Sequence, residues 1–338
     1  MGRKKTEPGL SMKLVGSLAG VSAMTVSRAL RDPGAVSDAV LERIRAVIDE
    51  LGYVPNRVAG SLSSNKTTQV ALVVPSLRTA IHAEMIQGIS DALRQHHFQL
   101  MISDCGNSMA LEEAQIRGYV AQRVCGIILH NTRHSEAALR ILAGAGIACV
   151  ETGDLTRQPV DSVVSYSNAA AGAAMAAHFV EAGYRRIAFA SLPVKNRERI
   201  RALRQGFVTG LRKAGIVVPP ALRLEVEPGM QGGARALSTI LETAPRTQAV
   251  LFAGDVLAAG AVFECQRRGI PIPAAIAIAN SDDGELIQNM VPGVTAIQYP
   301  RYDIGVRAAR IVIERALGRQ SGPVVQDVGF SVVRRGST

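Results

Sequence analysis

Two stretches of this 338-residue chain hold side chains whose types and spacing suit chemistry. The first is Ala23-Met24-Thr25-Val26-Ser27-Arg28-Ala29-Leu30, which follows Val21-Ser22. Its start is a helix start, because the Ser22 hydroxyl can accept a free backbone N–H of the first turn. Val26 and Leu30, one turn apart, are expected to face inward. Small polar and cationic side chains then occupy the opposite face, as they must on a helix that enters a major groove and touches base edges. The second stretch runs from Lys195 to Arg204 and holds five cations among ten residues. It follows a predicted strand at Ile187 to Ala190, and arginine's planar fork suits a carboxylate.

These side chains need elements to hold them. From Ser11 to Leu51 the pattern is a short helix, a tight turn at Gly20, a second short helix and a third helix. Ser61 to Gln69 is a small polar stretch that reads as a linker. From Val70 onward short β-branched runs alternate with amphipathic helices. Strands are predicted at Val70 to Val74, Gln99 to Ile102, Gly126 to Leu129 and Ile147 to Val150. After about Asn168 the alternation restarts, with strands at Arg186 to Ala190, Ala249 to Ala253 and Ala275 to Ala279. Alternating strand and helix predicts a parallel sheet covered on both faces. Two such sheets in one chain normally face each other across a cleft, and ligands bind at the carboxyl ends of their strands.

Composition agrees with a multidomain chain that has real cores: 47% of the residues are hydrophobic. Thirty-eight Lys+Arg against 28 Asp+Glu give a net charge of +10. The first 66 residues carry ten against six, a net +4. Such a balance favours a polyanionic partner without proving one. Cys105, Cys125, Cys149 and Cys265 are widely spaced with no zinc-type pairing, and read as reduced core residues. No metal site or cofactor is expected. No apolar run approaches the roughly 20 residues needed to cross a bilayer. Met1 to Pro8 is basic with no apolar stretch behind it, so a cytoplasmic location and no membrane partner are expected.

The run from Ala19 to Leu30, then Val36-Ser37, then Glu50-Leu51-Gly52-Tyr53-Val54-Pro55-Asn56-Arg57-Val58-Ala59-Gly60-Ser61-Leu62, resembles the head and hinge of the lactose-repressor/galactose-repressor family of bacterial transcription factors. The resemblance continues through Val124 to Leu129, Gly183 to Ala188 and Gly254 to Ala261, so it covers essentially the whole chain. It implies an α/β fold: an all-α helix-turn-helix head, a hinge helix, and a core of two doubly wound parallel-sheet subdomains like those of periplasmic binding proteins. The implied boundaries are 1–58 for the head and 55–69 for hinge and linker. The first core subdomain would hold 70–167 and 300–327, the second 168–299 and 328–338.

The resemblance also implies roles. The protein would bind a palindromic double-stranded operator as a homodimer. Ser22, Ala23, Met24, Thr25, Ser27 and Arg28 would meet the major groove, with Ala23 and Met24 making apolar contacts and Thr25, Ser27 and Arg28 polar ones. Asn56, Arg57, Ala59 and Leu62 would meet the minor groove, Leu62 as a wedge at the central base step. About eight residues interrupted by Gly60 are too few for a lone helix, so this hinge is expected to order only on DNA. Effector contacts would come from Ile81, His82, Arg197, Arg199 and Asp282. Within the family the chain looks most like the gluconate-operon repressors, through Glu198-Arg199 and Ala261 to Arg267. That similarity implies a sugar-acid effector whose binding alters operator affinity.

Some residues depart from the family pattern. Ser167-Asn168 replaces an Asp-Asn pair, and Asn280 replaces a glycine. Leu14 stands where an acidic residue is usual, and Gly16 where alanine is usual. Glycine inside a helix costs about 1 kcal/mol against alanine, so the head is expected to be marginally stable without DNA. Two other readings remain open: a repressor that answers to a neutral sugar, and a sugar-acid-metabolising enzyme on a doubly wound sheet. The second is disfavoured by the chain itself. Gly144-Ala145-Gly146 ends a helix instead of opening one, and neither a phosphate-binding Gly-Lys-Ser/Thr run nor a nucleophile elbow is present.

Overall fold

The computed structural model describes residues 10–54, 67–78 and 82–338. The chain divides into two compact units between Asn65 and Lys66.

The first unit holds three helices: α1 (Met12–Ala19), α2 (Ala23–Arg31) and α3 (Asp38–Leu51). Each boundary has a local cause. Ser11 accepts from the Leu14 N–H at the start of α1, and Ser22 does the same for Thr25 at the start of α2. Gly20 and Gly52 end α1 and α3 in the left-handed region, where glycine carries no steric cost. Val15, Ala19, Val26, Ala29, Ile44 and Tyr53 form the core of this unit. Leu30, expected to face inward with Val26, is 37% exposed, while Ala29 is 1% exposed. The inward stripe of α2 therefore steps by three residues from Val26, not by four.

Gly16 also differs from its sequence reading. A Cβ built there would lie 2.7 Å from the Val21 carbonyl oxygen, and the Val21 N–H bonds the Gly16 carbonyl at 2.8 Å. The missing side chain lets α1 close onto the turn before α2, a packing role that offsets the propensity cost.

The second unit contains two six-stranded sheets. The first sheet has the order β11-β5-β4-β3-β1-β2. Its strands are β1 (Gln69–Val74), β2 (Gln99–Asp104), β3 (Gly126–Leu129), β4 (Ala148–Glu151), β5 (Ser162–Ser165) and β11 (Val325–Asp327). The second has the order β12-β10-β9-β8-β6-β7. It is built from β6 (Ile187–Ser191), β7 (Arg223–Glu225), β8 (Ala249–Ala253), β9 (Ala277–Asn280), β10 (Thr295–Gln298) and β12 (Ser331–Val333). All pairings are parallel except β10 with β12. Strands β3, β4, β6, β8 and β9 are buried at every residue, as strands covered on both faces must be.

The covering helices are α4 (Ala83–Gln95), α5 (Met109–Ala121), α6 (Glu136–Ala145), α7 (Asn168–Glu181), α8 (Glu198–Lys213), α9 (Met230–Thr243), α10 (Asp255–Arg268), α11 (Glu285–Gln288) and α12 (Arg301–Ala316). Helix α12 packs on α4 and on β3, β4 and β5, so it belongs to the first subdomain although it follows the second sheet. The chain crosses between the sheets three times: after β5, after β10, and from β11 to β12. Each crossing carries an aromatic ring. Tyr166 and Tyr299 stack with centroids 3.8 Å apart and planes 17° from parallel, and Phe330 lies 6.4 Å from Tyr299. No described helix is long and apolar enough to cross a membrane.

Candidate DNA-reading helix and effector cleft

In the first unit, α2 presents the expected face. Met24 is 73% exposed and Val26 fully buried. Arg28 is exposed, and Ala23, Thr25 and Ser27 are half-buried. The Ser22 and Thr25 hydroxyls lie 2.9 Å apart and bond each other, so two of the polar groups assigned to DNA are mutually oriented before any DNA arrives. Asn56, Arg57, Ala59 and Leu62 lie outside the described residues, as does Ile81.

In the second unit the strand ends converge. His82 begins the helical turn leading into α4, and His130 follows β3 directly. Their rings meet edge to face with centroids 4.5 Å apart, and they are 3% and 5% exposed. His130 Nδ1 lies 3.1 Å from the Thr152 hydroxyl just past β4. His82 Nδ1 and His130 Nε2 are both buried without a hydrogen-bond partner. Burial, with Arg199 and Arg301 close by, pushes His82 down to about 3. Burial, then the charges of Arg199, His82 and Arg301, holds His130 well below the usual imidazole range. Both rings are therefore neutral at physiological pH.

Arg199 stands in the first turn of α8, which belongs to the second sheet. Its charge reaches His82, His130 and Tyr299, all three on the opposite subdomain or the crossing strands. It makes no hydrogen bond or ion pair with another described residue. Gly153 makes room for its approach: a Cβ there would overlap the His130 carbonyl and lie 3.3 Å from Arg199 Cδ. Arg197, also assigned to the pocket by sequence, donates to the Pro193 carbonyl in its own loop at 2.8 Å. Arg201 and Arg204 pair with Glu198 and Glu225. With Arg212 and Arg223 they line a separate hollow of about 280 Å³.

Asp282, past the end of β9, pairs with Arg301 at the start of α12. This ion pair joins the two subdomains. Arg301 Cζ also sits 4.9 Å from the centroid of the Tyr299 ring, so one guanidinium touches both the cleft carboxylate and the stacked crossing strands. A second cross-cleft pair joins Arg133 to Glu198 at 3.4 Å. Asn280 braces the Asp282 loop: its side chain donates to the Asp282 carbonyl at 2.7 Å and accepts from the Gly254 N–H at 3.2 Å. Asn168 is likewise internal, donating to the Gly153 carbonyl at 3.0 Å.

The loop after β3 is anchored from below. His134 lies between Glu112 of α5, at 2.5 Å, and Glu151 of β4, at 3.4 Å. Burial opposes charge on this ring, but the two carboxylates outweigh it and raise His134 to about 9. The result is a buried imidazolium between two carboxylates. No group of His, Cys, Asp and Glu among the described residues could hold a metal ion. The thiols of Cys105, Cys125 and Cys265 are pushed by burial up to about 11, which makes them packing residues, not nucleophiles.

Sequence reasoning thus named His82, Arg199 and Asp282, which the structure gathers around one cleft. It missed His130, Thr152, Tyr299 and Arg301. A signal existed for His130, which comes immediately after a strand that the sequence had marked, at its carboxyl end.

The model of the bacterial regulatory proteins of the lacI family matches residues 11–56, and that of a periplasmic binding protein-like domain matches residues 176–338. The HTH-type transcriptional regulator GntR of Pseudomonas aeruginosa is 33% identical over 321 residues, 95% of this chain and 93% of that protein. The crystal structure of a LacI-family transcriptional regulator from Silicibacter pomeroyi superposes with a TM-score of 0.90 at 32% identity. It covers 97% of this chain and 99% of its own. The lac repressor dimer bound to operator and the anti-inducer ONPF shares the fold, with a TM-score of 0.85 at 23% identity over 98% of this chain and 99% of its own. With a three-helix unit whose second helix presents a polar, cationic face, and a second unit of two wound sheets with a cleft between them, the chain belongs to the LacI family of DNA-binding transcriptional regulators and is not an enzyme.

Proposed function

We propose that the protein is a cytoplasmic repressor of sugar-acid catabolism that binds a palindromic operator as a homodimer, with an affinity set by a sugar acid such as gluconate. The observation that carries this reading is Arg199. It is a partly buried guanidinium beside two neutral histidines, with no carboxylate of the described chain to pair with. A partly buried cation in that position, with no carboxylate paired to it, favours an anionic ligand. Asp282 and the histidines supply donors and acceptors for hydroxyl groups. The similarity of Glu198-Arg199 and of residues 261–267 to gluconate-operon repressors points the same way.

The head spans 1–58 and the hinge and linker 55–69, where Leu62 wedges the central step and Asn56, Arg57 and Ala59 line the minor groove. Ser22, Ala23, Met24, Thr25, Ser27 and Arg28 read the major groove. Effector binding at Arg199, His82 and Asp282, with Ile81 and Arg197 added by the family resemblance, redistributes the cross-cleft ion pairs Arg301–Asp282 and Arg133–Glu198. The posture of the two subdomains changes with them. A coupling of ~1 to 3 kcal/mol corresponds to a 5- to 150-fold change in operator affinity.

A gel shift against DNA upstream of the operon that carries the gene, with gluconate, related sugar acids and neutral hexoses added in turn, tests the proposal. A complex that responds to a sugar acid and not to glucose supports it. A response to a neutral hexose alone removes the sugar-acid effector, and turnover of a sugar acid with no DNA retention would remove the repressor.

A further inference from the structure

We infer that the basic hollow along α8, outside the cleft, is a second ligand site that takes the phosphoryl group of a small phosphorylated metabolite, and that two shared glutamates link it to the cleft.

The hollow is built by spacing along one helix. Arg201, Arg204, Gln205, Thr209 and Arg212 recur at intervals of three and four, so they share a face of α8. Arg223, on the edge strand β7, closes the hollow beside them. Arg199 stands two residues before Arg201 and therefore on another face, the one that meets the cleft. The volume of about 280 Å³ lies near the lower end of small-ligand pockets.

Its charges do not cancel. Arg201 pairs with Glu198 and Arg204 with Glu225. Arg212 has no hydrogen bond or ion pair with another described residue. Arg223 meets no carboxylate and donates from Nε and Nη2 to the Val218 carbonyl, at 2.9 and 2.5 Å. Four guanidiniums against two carboxylates leave two positive charges in excess. Like charges gathered in one hollow repel one another, and a dianion relieves that repulsion. A phosphate monoester carries roughly two negative charges at neutral pH, and its oxygens accept from several planar forks at once. The Gln205 amide and the Thr209 hydroxyl add neutral donors. A single carboxylate would leave half of the excess charge unmet.

Both glutamates face two ways. Glu198 gives Oε2 to Arg201 in the hollow, while its Oε1 holds Arg133 of the first subdomain at 3.4 Å. Glu225 gives Oε1 to Arg204 at 2.9 Å, while its Oε2 accepts from the Val194 N–H at 3.3 Å, in the loop that leads into α8. A phosphoryl group that draws Arg201 and Arg204 toward itself frees both carboxylates to shift, and the Arg133 bridge across the cleft shifts with them.

Calorimetry on the full-length protein at fixed ionic strength tests this, with glycerol phosphate and succinate as titrants. Wild type should bind one glycerol phosphate per chain. Arg212 is exposed, so Arg212→Ala should fold, and it should weaken that binding about tenfold or more. Arg212→Lys, which keeps the charge without the fork, should recover part of the loss. Arg199→Leu, in the cleft, should leave glycerol phosphate binding unchanged. A second readout rests on the cleft being the effector site: with the hollow saturated, gluconate affinity should move about fivefold or more in wild type and stay put in Arg133→Gln. Loss of glycerol phosphate binding in Arg199→Leu but not in Arg212→Ala places the anion in the cleft and overturns the inference, as does a wild type that binds no glycerol phosphate. Succinate bound as tightly as glycerol phosphate overturns the phosphoryl assignment. A gluconate affinity that saturation leaves unmoved overturns the link through Glu198. If gluconate does not bind at all, the sugar-acid reading fails by itself, and the Arg212 titrations still decide the hollow.

Discussion

The helix proposed to read DNA and the cleft proposed to hold the effector present their polar groups in opposite ways. On α2, Met24 is 73% exposed, and the polar side chains stand on a partly open face fixed by a capping serine and by Val26 and Ala29 buried beneath it. In the cleft, His82 and His130 are 3% and 5% exposed, and their spare nitrogens are already stripped of water. A helix that meets a rigid duplex gains most by being presented outward, because the partner brings its own shape and a dense row of phosphates. A site for a small polar molecule gains by being desolvated beforehand, since each unmatched group then discriminates against the wrong ligand. The head is accordingly simple in its bonding and the cleft is crowded with it.

The largest effect should come from the cleft. Arg199→Leu removes the unpaired guanidinium and should weaken sugar-acid binding by about 3 to 5 kcal/mol, measured by calorimetry; a loss under tenfold would mean the cation faces solvent and the contrast with α2 is false. The next test concerns the buried imidazolium beneath the cleft. His134 has a folded-state pKa of about 9, above the ordinary 6.5. The stability it contributes is therefore complete below about pH 6.5 and disappears as the pH rises through about 9. Denaturant titrations should show a decline on the order of 3 kcal/mol over that interval, and His134→Gln should flatten it. An unchanged slope in the variant would show that the Glu112–His134–Glu151 contact is not charged.

On the head, Arg28→Ala should cost about 1 to 3 kcal/mol of operator affinity. The readout is a salt-controlled binding curve, and a lower salt slope would mark Arg28 as a phosphate contact while an unchanged slope would mark a base contact. The smallest effect has the most telling sign. Helix propensity alone says that Gly16→Ala should stabilise the head by up to about 1 kcal/mol. The 2.7 Å approach of a Cβ to the Val21 carbonyl says that it should destabilise it, by about 1 kcal/mol or more. The first-unit melting transition decides between them.

The same contrast explains what the sequence disclosed. The head lies within some 45 consecutive residues, and its caps, turns and reading face are local features, so its organisation was visible in the order of Ser11, Gly20, Ser22 and Gly52. The misplacement of Leu30 arose because a nine-residue helix gives two inward spacings, three and four, and only packing against α1 and α3 chooses between them. The wound sheets were also legible, since β1, β3, β6 and β8 each contain an apolar run of four or more residues. The short strands β7, β11 and β12, three residues each, carry no periodicity to read.

The cleft was legible only in part. His82, Arg199 and Asp282 follow three different strands and were reached through family resemblance. Arg301 was missed because its role depends on a crossing strand that returns α12 to the first subdomain, and no local pattern announces that. Thr152 was missed because its link to the cleft is a contact with a ring 22 residues away in sequence.

The central claim is that one chain joins an operator-reading head to a sugar-acid-sensing cleft. Fluorescence anisotropy of the full-length protein on a labelled palindromic operator, titrated with and without saturating gluconate, tests it most directly. Tight binding to the palindrome over random duplex at moderate salt is expected, with a 5- to 150-fold change in that affinity when the sugar acid is present. Equal affinity for both duplexes, or an operator curve that no sugar acid moves, would contradict it.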